Sequence, residues 1–496
     1  MIAIIVAGIC VAFAQPLGKC GDGICDDFEK AHPDLCPEDC KSQQSTATPA
    51  TASIIVNYSK ELGNFSPYLF GINIKRTGGL ELVQAAGFKI IQLLEGDFLE
   101  LDKLISSIFE HGAEPMVTMP MPPSDRKPSD MDAYVASLKK IATHFKNTKW
   151  PNNGKVRLLR FANEPDNAQF WHSSKQDFFE TYAAVLKALK SVDPSFILDG
   201  PGFMIGVDGQ LPGSPCWVSD FLEYMSKNNA PVDLFSTHLY SPVPYSFYEN
   251  FGILQNELKK YPSLSPIYGT PKLANDEWNI KLGDIWSGSY SKQFDMSWAA
   301  AAQMNSLINM IKQGLTLSVP MAGVDIAKFG GHDFLLVDCN GNGKPVYYAY
   351  KGLSWLCNTA RLSTEGDDHM NFAAIAGKKD NQIVVVLSNY DIKTYMDKYP
   401  EIPPPFLPKD SKPPDKIEYD NYVSKFGEPK VYNKYGLTLN NLPWNPSQEI
   451  IYERYLVDDN HKLDLVQTKT VKGDKTLSFA GDITAPSVEI IKVYLK

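Results

Sequence analysis

Between Tyr68 and Pro320 the chain alternates eight short apolar runs with longer stretches of helical periodicity, and few architectures can use that rhythm. The runs are Tyr68–Ile74, Phe88–Leu94, Glu114–Met119, Val156–Ala162, Phe196–Gly200, Val232–His238, Lys272–Glu277 and Leu315–Pro320. Apolar residues recur every three to four positions in Phe98–His111, Met131–Asn147, Lys175–Val192, Trp217–Asn228, Tyr248–Lys260 and Ser297–Gln313. Strand–helix alternation argues for parallel βαβ units, and eight such units argue for a closed (β/α)8 TIM barrel, an α/β fold. A doubly wound open sheet is the competing arrangement. It usually carries a glycine-rich phosphate loop after its first strand, a pattern that Gly71 and Gly78-Gly79 do not make.

The rhythm changes from about residue 370. Ile383–Leu387, Glu449–Tyr455, Leu463–Leu465 and Val488–Tyr494 are short β-branched runs separated by turn residues, which predicts a C-terminal antiparallel β-sandwich. The expected divisions are a barrel over 53–362 and a sandwich over 363–496, with the strand at 53–57 free to join the sandwich. A Pro- and Lys-rich insertion at 395–429 reads as an extended surface loop.

At the N-terminus, residues 1–14 are almost wholly apolar and end Ala12-Phe13-Ala14, the pattern of a cleaved signal peptide without its basic leader. A buried strand or an uncut anchor is the alternative. Residues 15–40 contain Cys20, Cys25, Cys36 and Cys40 among loop-forming residues, a small Cys-rich module. In an exported chain these would pair as two disulfides; a zinc site would favour closely paired C-x2-C knuckles, which the spacing lacks. Cys216, Cys339 and Cys357 leave an odd count. Residues 41–52 read as a polar linker. The chain is thus expected to be secreted or extracytoplasmic. Its net charge of −9, with no basic stretch, argues against a nucleic-acid partner, and no later apolar run suits a membrane span.

Two glutamates end apolar runs within short signatures. Glu164 lies in Arg160-Phe161-Ala162-Asn163-Glu164-Pro165-Asp166 after the fourth run, and Glu277 in Ala274-Asn275-Asp276-Glu277-Trp278-Asn279 in the seventh. Carboxylates at the C-terminal ends of barrel strands point into the mouth where barrel enzymes work. Two facing carboxyls are the equipment for glycosidic cleavage: one donates a proton to the leaving oxygen, the other attacks the anomeric carbon. Asn163 would be placed to bond a sugar 2-hydroxyl. His238 and Tyr240, two apart, share a strand face; Tyr240 could donate to the nucleophile, and His238 could touch sugar or acid or form a core hydrogen bond. Trp171, Trp278 and Trp286 are candidate stacking platforms for sugar rings, with plain packing as the alternative. No metal or cofactor is called for; the expected ligand is an oligo- or polysaccharide.

In these residues the chain resembles clan A of the glycoside hydrolases, and within it family 39, which includes β-xylosidases and α-L-iduronidases. The matching segments are Phe65–Asn73, Asn163–Asp166 with Phe170-Trp171, Asp233–His238, Asp276–Asn279, Pro345–Tyr350 and Tyr452–Tyr455. The resemblance covers about residues 53–496. It implies a retaining hydrolase, with β-xylosidase-like action as one reading, Glu164 as acid/base and Glu277 as nucleophile. Three departures stand out. The second run offers Gln92 where the clan commonly has arginine; Ala162 stands where family members often have tryptophan; and the eighth run ends Met321-Ala322-Gly323 without an aromatic. These changes keep open a carbohydrate-binding pseudoenzyme, and beside it a cell-surface adhesion protein.

Overall fold

A computed structural model describes residues 50–74, 79–93, 98–204, 217–280, 295–321, 336–337, 342–398 and 414–496. The chain divides into two units, Met1–Thr48 and Pro49–Lys496. The first unit, with the expected signal peptide and Cys20, Cys25, Cys36 and Cys40, lies outside the described residues, as do Cys216, Trp286 and Cys339.

In the second unit strand β1 (Ala50–Asn64) precedes β2 (Gly71–Ile74), helix α1 (Leu80–Ala85), β3 (Ile90–Leu93), α2 (Phe98–Glu110) and β4 (Glu114–Thr118). Next come α3 (Met131–Asn147), β5 (Leu158–Arg160), α4 (Lys175–Val192), β6 (Ile197–Asp199), β7 (Pro201–Phe203) and α5 (Val218–Lys227). The alternation continues through β8 (Leu234–Tyr240), α6 (Pro244–Leu258), β9 (Lys272–Asn279), α7 (Ser297–Lys312) and β10 (Leu315–Pro320). These strands form two parallel sheets, β2-β3-β4-β5-β6 and β10-β9-β8-β7. The sheets meet at Gly200, which joins β6 to β7, and where Gly71 of β2 lies against Ser318 of β10. A Cβ on Gly71 would stand 2.4 Å from the Ser318 carbonyl oxygen, so only glycine allows that approach.

Two differences from expectation have local causes. The first run is not strand throughout: Ser66 caps a 3-10 turn over Pro67–Leu69, because Pro67 has no N–H for a ladder. The fifth run breaks after Asp199 and resumes at Pro201 across a cis Gly200–Pro201 bond.

The faces enclosed by these sheets are layered. Ile90, Met116, Leu158, Ile197, Leu234, Ala274 and Leu317 form an apolar cluster. Two residues further along their strands, on the same face, stand Gln92, Thr118, Arg160, Asp199, Ser236 and Asp276. The core is therefore apolar at one level and polar at the next.

After α8 (Pro345–Leu353), strands β11 (Ala360–Glu365), β12 (Phe372–Lys379) and β13 (Gln382–Asn389) lead to β14 (Tyr432–Asn440), β15 (Glu449–Val457), β16 (Lys462–Lys472), β17 (Thr476–Asp482) and β18 (Ser487–Leu495). They hydrogen-bond into one nine-stranded sheet, β16-β15-β18-β13-β12-β11-β1-β14-β17. The sheet curls until its ends meet. Tyr452 of β15 stacks on Phe479 of β17 at 4.3 Å, and its hydroxyl lies 3.2 Å from that of Tyr435 on β14. β1 fills a slot between β11 and β14, so the strand begins at Ala50, inside the segment expected to be linker. The insertion at 395–429 is not a plain extended loop: Ile392–Lys398 and Pro414–Phe426 are helical, and Glu418 accepts from the hydroxyls of Ser241 and Ser246. Tyr422 and Phe426 pack on Tyr245 at 5.3 and 5.2 Å, which explains why this polar stretch holds structure.

Helix α7 is buried along nearly its whole length. The Ser388 hydroxyl of β13 donates to the Ala301 carbonyl at 2.7 Å, and the Asn309 amide donates to the Pro244 carbonyl at the start of α6. It ties the curled sheet to the helices around the parallel ones. A helix with partners on all sides needs no polar face, hence the run Ala299–Ala302.

Candidate active site

Glu164 owes its position to a sharp turn after β5. Ala162 and Glu164 both take left-handed backbone conformations, with φ of 77° and 43°, each costing on the order of 1–2 kcal/mol for a non-glycine residue. The surroundings hold the turn in place: the Glu164 amide donates to the Gly202 carbonyl at 3.0 Å, and the Asn167 amide donates to the Glu164 carbonyl at 2.9 Å. Glu277 needs no such turn, since it lies within β9 beside β8, opposite His238.

The side chains converge. His238 Nδ1 is 2.8 Å from Glu164 Oε1 and 4.0 Å from Glu277 Oε2. The Tyr240 hydroxyl donates to Glu277 Oε1 at 2.8 Å and lies 2.9 Å from the Met321 thioether. Oxygens of Glu164 and Glu277 and a ring nitrogen of His238 all lie within 4.8 Å of one another. Asn163 precedes Glu164 in the turn, and its Oδ1 accepts from Arg160 Nη2 at 2.8 Å.

Two of the expected sugar platforms do not face this site. Trp278 follows Glu277 on a strand, so its side chain points the opposite way; it is fully buried, bonds Ser318 through Nε1 at 3.0 Å and packs on Phe247. Trp171 is also buried, with Nε1 donating to the Ser174 carbonyl and its ring edge-on to Phe178. Both are core residues.

Beneath the glutamates lies a buried charged group whose members the motifs contained but whose role sequence reading missed. Arg160 Nε donates to Asp276 Oδ2, and both side chains are almost without exposure. His238 Nε2 is 3.3 Å from the other oxygen of Asp276. Gly202 makes room for this: a Cβ there would be 2.7 Å from His238 Nε2 and 3.2 Å from Arg160 Nη2. The sequence did hold a signal, a charged residue two places after an apolar one in each run (Leu158/Arg160, Ile197/Asp199, Ala274/Asp276), which puts charge on an inward face.

The charge states follow from the partners. Burial would lift the Asp276 carboxyl, but the Arg160 guanidinium and His238 hold it well below the usual range. Burial would lower Arg160, and Asp276 more than reverses it. Burial also opposes a charged His238, yet the negative charges of Glu277 and Asp276, with the contacts to Asp276 and Glu164, push it up to about 10. Asp199 is raised well above an ordinary aspartate by burial and by Asp276. Burial raises Asp166, beside the site, to about 6. Glu164, His238 and Glu277 have a spacing that a metal ion could use; His238 turns Nδ1 to Glu164, while its Nε2 lies 3.3 Å from Asp276 Oδ1 and 3.2 Å from Arg160 Nη2.

Breaking the lower pair should cost stability. Arg160→Leu leaves the Asp276 carboxylate buried without its guanidinium, and the expected loss is about 3–5 kcal/mol. Urea unfolding of the two proteins measures it; a loss below about 1 kcal/mol would mean that the pair is not the keystone its burial suggests.

Comparison with known proteins adds the following. The family model described as glycosyl hydrolases family 39 matches residues 91–265. A β-xylosidase of Caldicellulosiruptor saccharolyticus is 24% identical over 339 residues, which cover 60% of this chain and 65% of that one. A β-xylosidase of Geobacillus stearothermophilus is 29% identical over 137 residues, 27% of this chain and 25% of that one. The chain thus spans less than two thirds of the length of either relative. Among solved structures, a glucosidase from Croceicoccus marinus superposes with a TM-score of 0.69 at 18% identity, covering 90% of this chain and 99% of that one. A monomeric β-xylosidase from Caulobacter crescentus gives 0.61 at 16% identity, with coverage of 90% and 99%. At such identities the likeness is one of fold.

Proposed function

We propose that the chain is a retaining glycoside hydrolase of family 39, whose model matches residues 91–265. In this reading Glu277 is the nucleophile and Glu164 the acid/base. The observation that carries the proposal is the approach of the two carboxylates, with oxygens within 4.8 Å. Retaining enzymes hold their two carboxyls about 5–5.5 Å apart, whereas inverting ones leave about 6.5–9.5 Å for a water molecule. The two parallel sheets are read as the halves of a (β/α)8 barrel, and the curled nine-stranded sheet as a β-sandwich beside it.

The two glutamates have different neighbours, as different roles require. Tyr240 donates to Glu277, which supports an ionised carboxylate ready to attack. Glu164 faces His238, a group that can hold and return a proton. Asn163, fixed through its carbonyl by Arg160, would offer an N–H to a sugar hydroxyl at the scissile residue. A sugar seated there would meet Tyr240 and the Met321 thioether.

The β-xylosidase relatives make a β-linked xyloside the first substrate to try. An apolar leader and a Cys-rich head support action outside the cytoplasm, with Cys20, Cys25, Cys36 and Cys40 paired as disulfides.

Trapping tests the assignment directly. A 2-deoxy-2-fluoro glycosyl donor should inactivate the protein with one sugar bound per chain, and the modified peptide should contain Glu277. A label on another carboxylate, or none with any donor of a broad panel while glycosides are still cleaved, removes Glu277 from the role.

A further inference from the structure

The hydrolase reading assigns Glu164 a proton to give, yet its carboxylate sits 2.8 Å from a histidine surrounded by acids. We propose that His238 holds the proton Glu164 delivers, and that Asp276 is a positioning residue that keeps it there. The inference rests on the hydrolase reading and deepens it.

The geometry is a relay of three groups. Asp276 is fully buried, and its Oδ2 is taken by Arg160. Its Oδ1 makes no hydrogen bond and lies 3.3 Å from His238 Nε2, within ion-pairing range; Arg160 Nη2 stands 3.2 Å from the same nitrogen. His238, 1% exposed, presents its other nitrogen to Glu164. An imidazole held between two carboxylates, one locked and one facing the pocket, is oriented and kept protonated by the locked one. The groups facing His238 are Glu164, Asp166 and Arg160 from β5 and the turn after it, Asp199 from β6, Asp276 and Glu277 from β9, and Tyr240 on its own strand. The charges of Glu277 and Asp276, with the contacts to Asp276 and Glu164, raise the ring despite its burial.

The proton accounts balance over a catalytic cycle. As the glycosidic C–O bond breaks and Glu277 bonds the anomeric carbon, the leaving oxygen takes a proton from Glu164, which is resupplied from His238 Nδ1. In the second half, water attacks the anomeric carbon, the bond to Glu277 breaks, and the water proton returns through Glu164 to His238. Nothing beyond substrate and water enters.

The test begins with the wild-type protein. Labelled with 15N-histidine, its His238 ring signal, assigned by its loss in His238→Gln, should titrate only above pH 8. Titration at or below pH 8 in an active wild type overturns the proposal. In Asp276→Asn, which keeps an acceptor but removes the charge, the ring should titrate lower by about one unit or more. The alkaline limb of kcat/KM for phenyl β-xyloside, or the phenyl glycoside of whichever sugar is accepted, should shift down by the same amount. For the 2,4-dinitrophenyl glycoside, whose leaving group needs no proton, kcat/KM should change little. A variant that is slower with both leaving groups and keeps the wild-type pH profile overturns the proposal. If Asp276→Asn does not fold, the wild-type titration still decides. A wild type inactive on every glycoside is a different result: it removes the hydrolase reading itself.

Discussion

Replacing Glu277 by alanine is expected to lower kcat on aryl glycosides by about 10⁴-fold or more, the scale on which removing a catalytic nucleophile acts. The argument is geometric. The Glu277 carboxylate is fixed by the Tyr240 hydroxyl at 2.8 Å on one side and lies 4.0 Å from His238 on the other. Truncation removes the group placed to form the glycosyl–enzyme bond, and water held loosely in its place attacks poorly. The pocket left behind admits a small anion. Azide should therefore restore cleavage of activated substrates and yield a glycosyl azide of inverted configuration, because it attacks directly from the vacated face. Measuring kcat with and without azide and assigning the product anomer by NMR checks both halves. A retained azide product would exchange the proposed roles of the two glutamates; wild-type turnover would dismiss Glu277 altogether.

The parts legible in the sequence are those that depend on short-range pattern. Met131–Asn147 and Lys175–Val192 are helical over the expected spans, since an N-cap (Asp130; Ser174 with Asp177) and a regular apolar stripe fix a helix locally. The glutamate signatures were visible because each ends or interrupts an apolar run. Long-range competition was not visible. β12 is rich in alanine, a helix former, and is a strand because β11 and β13 flank it. β14 reads as polar, but its Tyr435, Leu437 and Leu439 alternate into the core of the curled sheet. The same limit governed the site. Trp278 looked like a sugar platform from its place beside Glu277, yet strand alternation turns it into the core. Asp276 was visible only as a member of the signature, and a bulge between Ser236/Ala274 and His238/Glu277 lets it face Arg160 and His238 while Glu277 still reaches the pocket. The bulge itself is set by the partner strand, and no single-strand pattern reports it.

Removing the other glutamate should produce a different kinetic pattern from removing the nucleophile. Glu164→Ala is expected to slow cleavage of substrates with poor leaving groups by about 10²–10⁴-fold, the usual contribution of general acid catalysis. Cleavage of a 2,4-dinitrophenyl glycoside should begin at nearly the wild-type rate, since that leaving group departs without a proton. The variant nevertheless lacks the base for the second step, so the glycosyl–enzyme at Glu277 accumulates. An initial burst of phenol should appear, followed by a slow steady state with kcat and KM both reduced, the signature of an intermediate that drains slowly. Azide, needing no base, should speed that second step and give a product of retained configuration, opposite to the anomer expected from Glu277→Ala. His238 is not expected to replace the missing carboxylate, because its Nδ1 addresses the position that Glu164 occupied. Stopped-flow measurement of phenol release across a series of leaving groups checks the pattern. A uniform loss across the series, or full activity on the poorest leaving group, would show that Glu164 does not carry the proton.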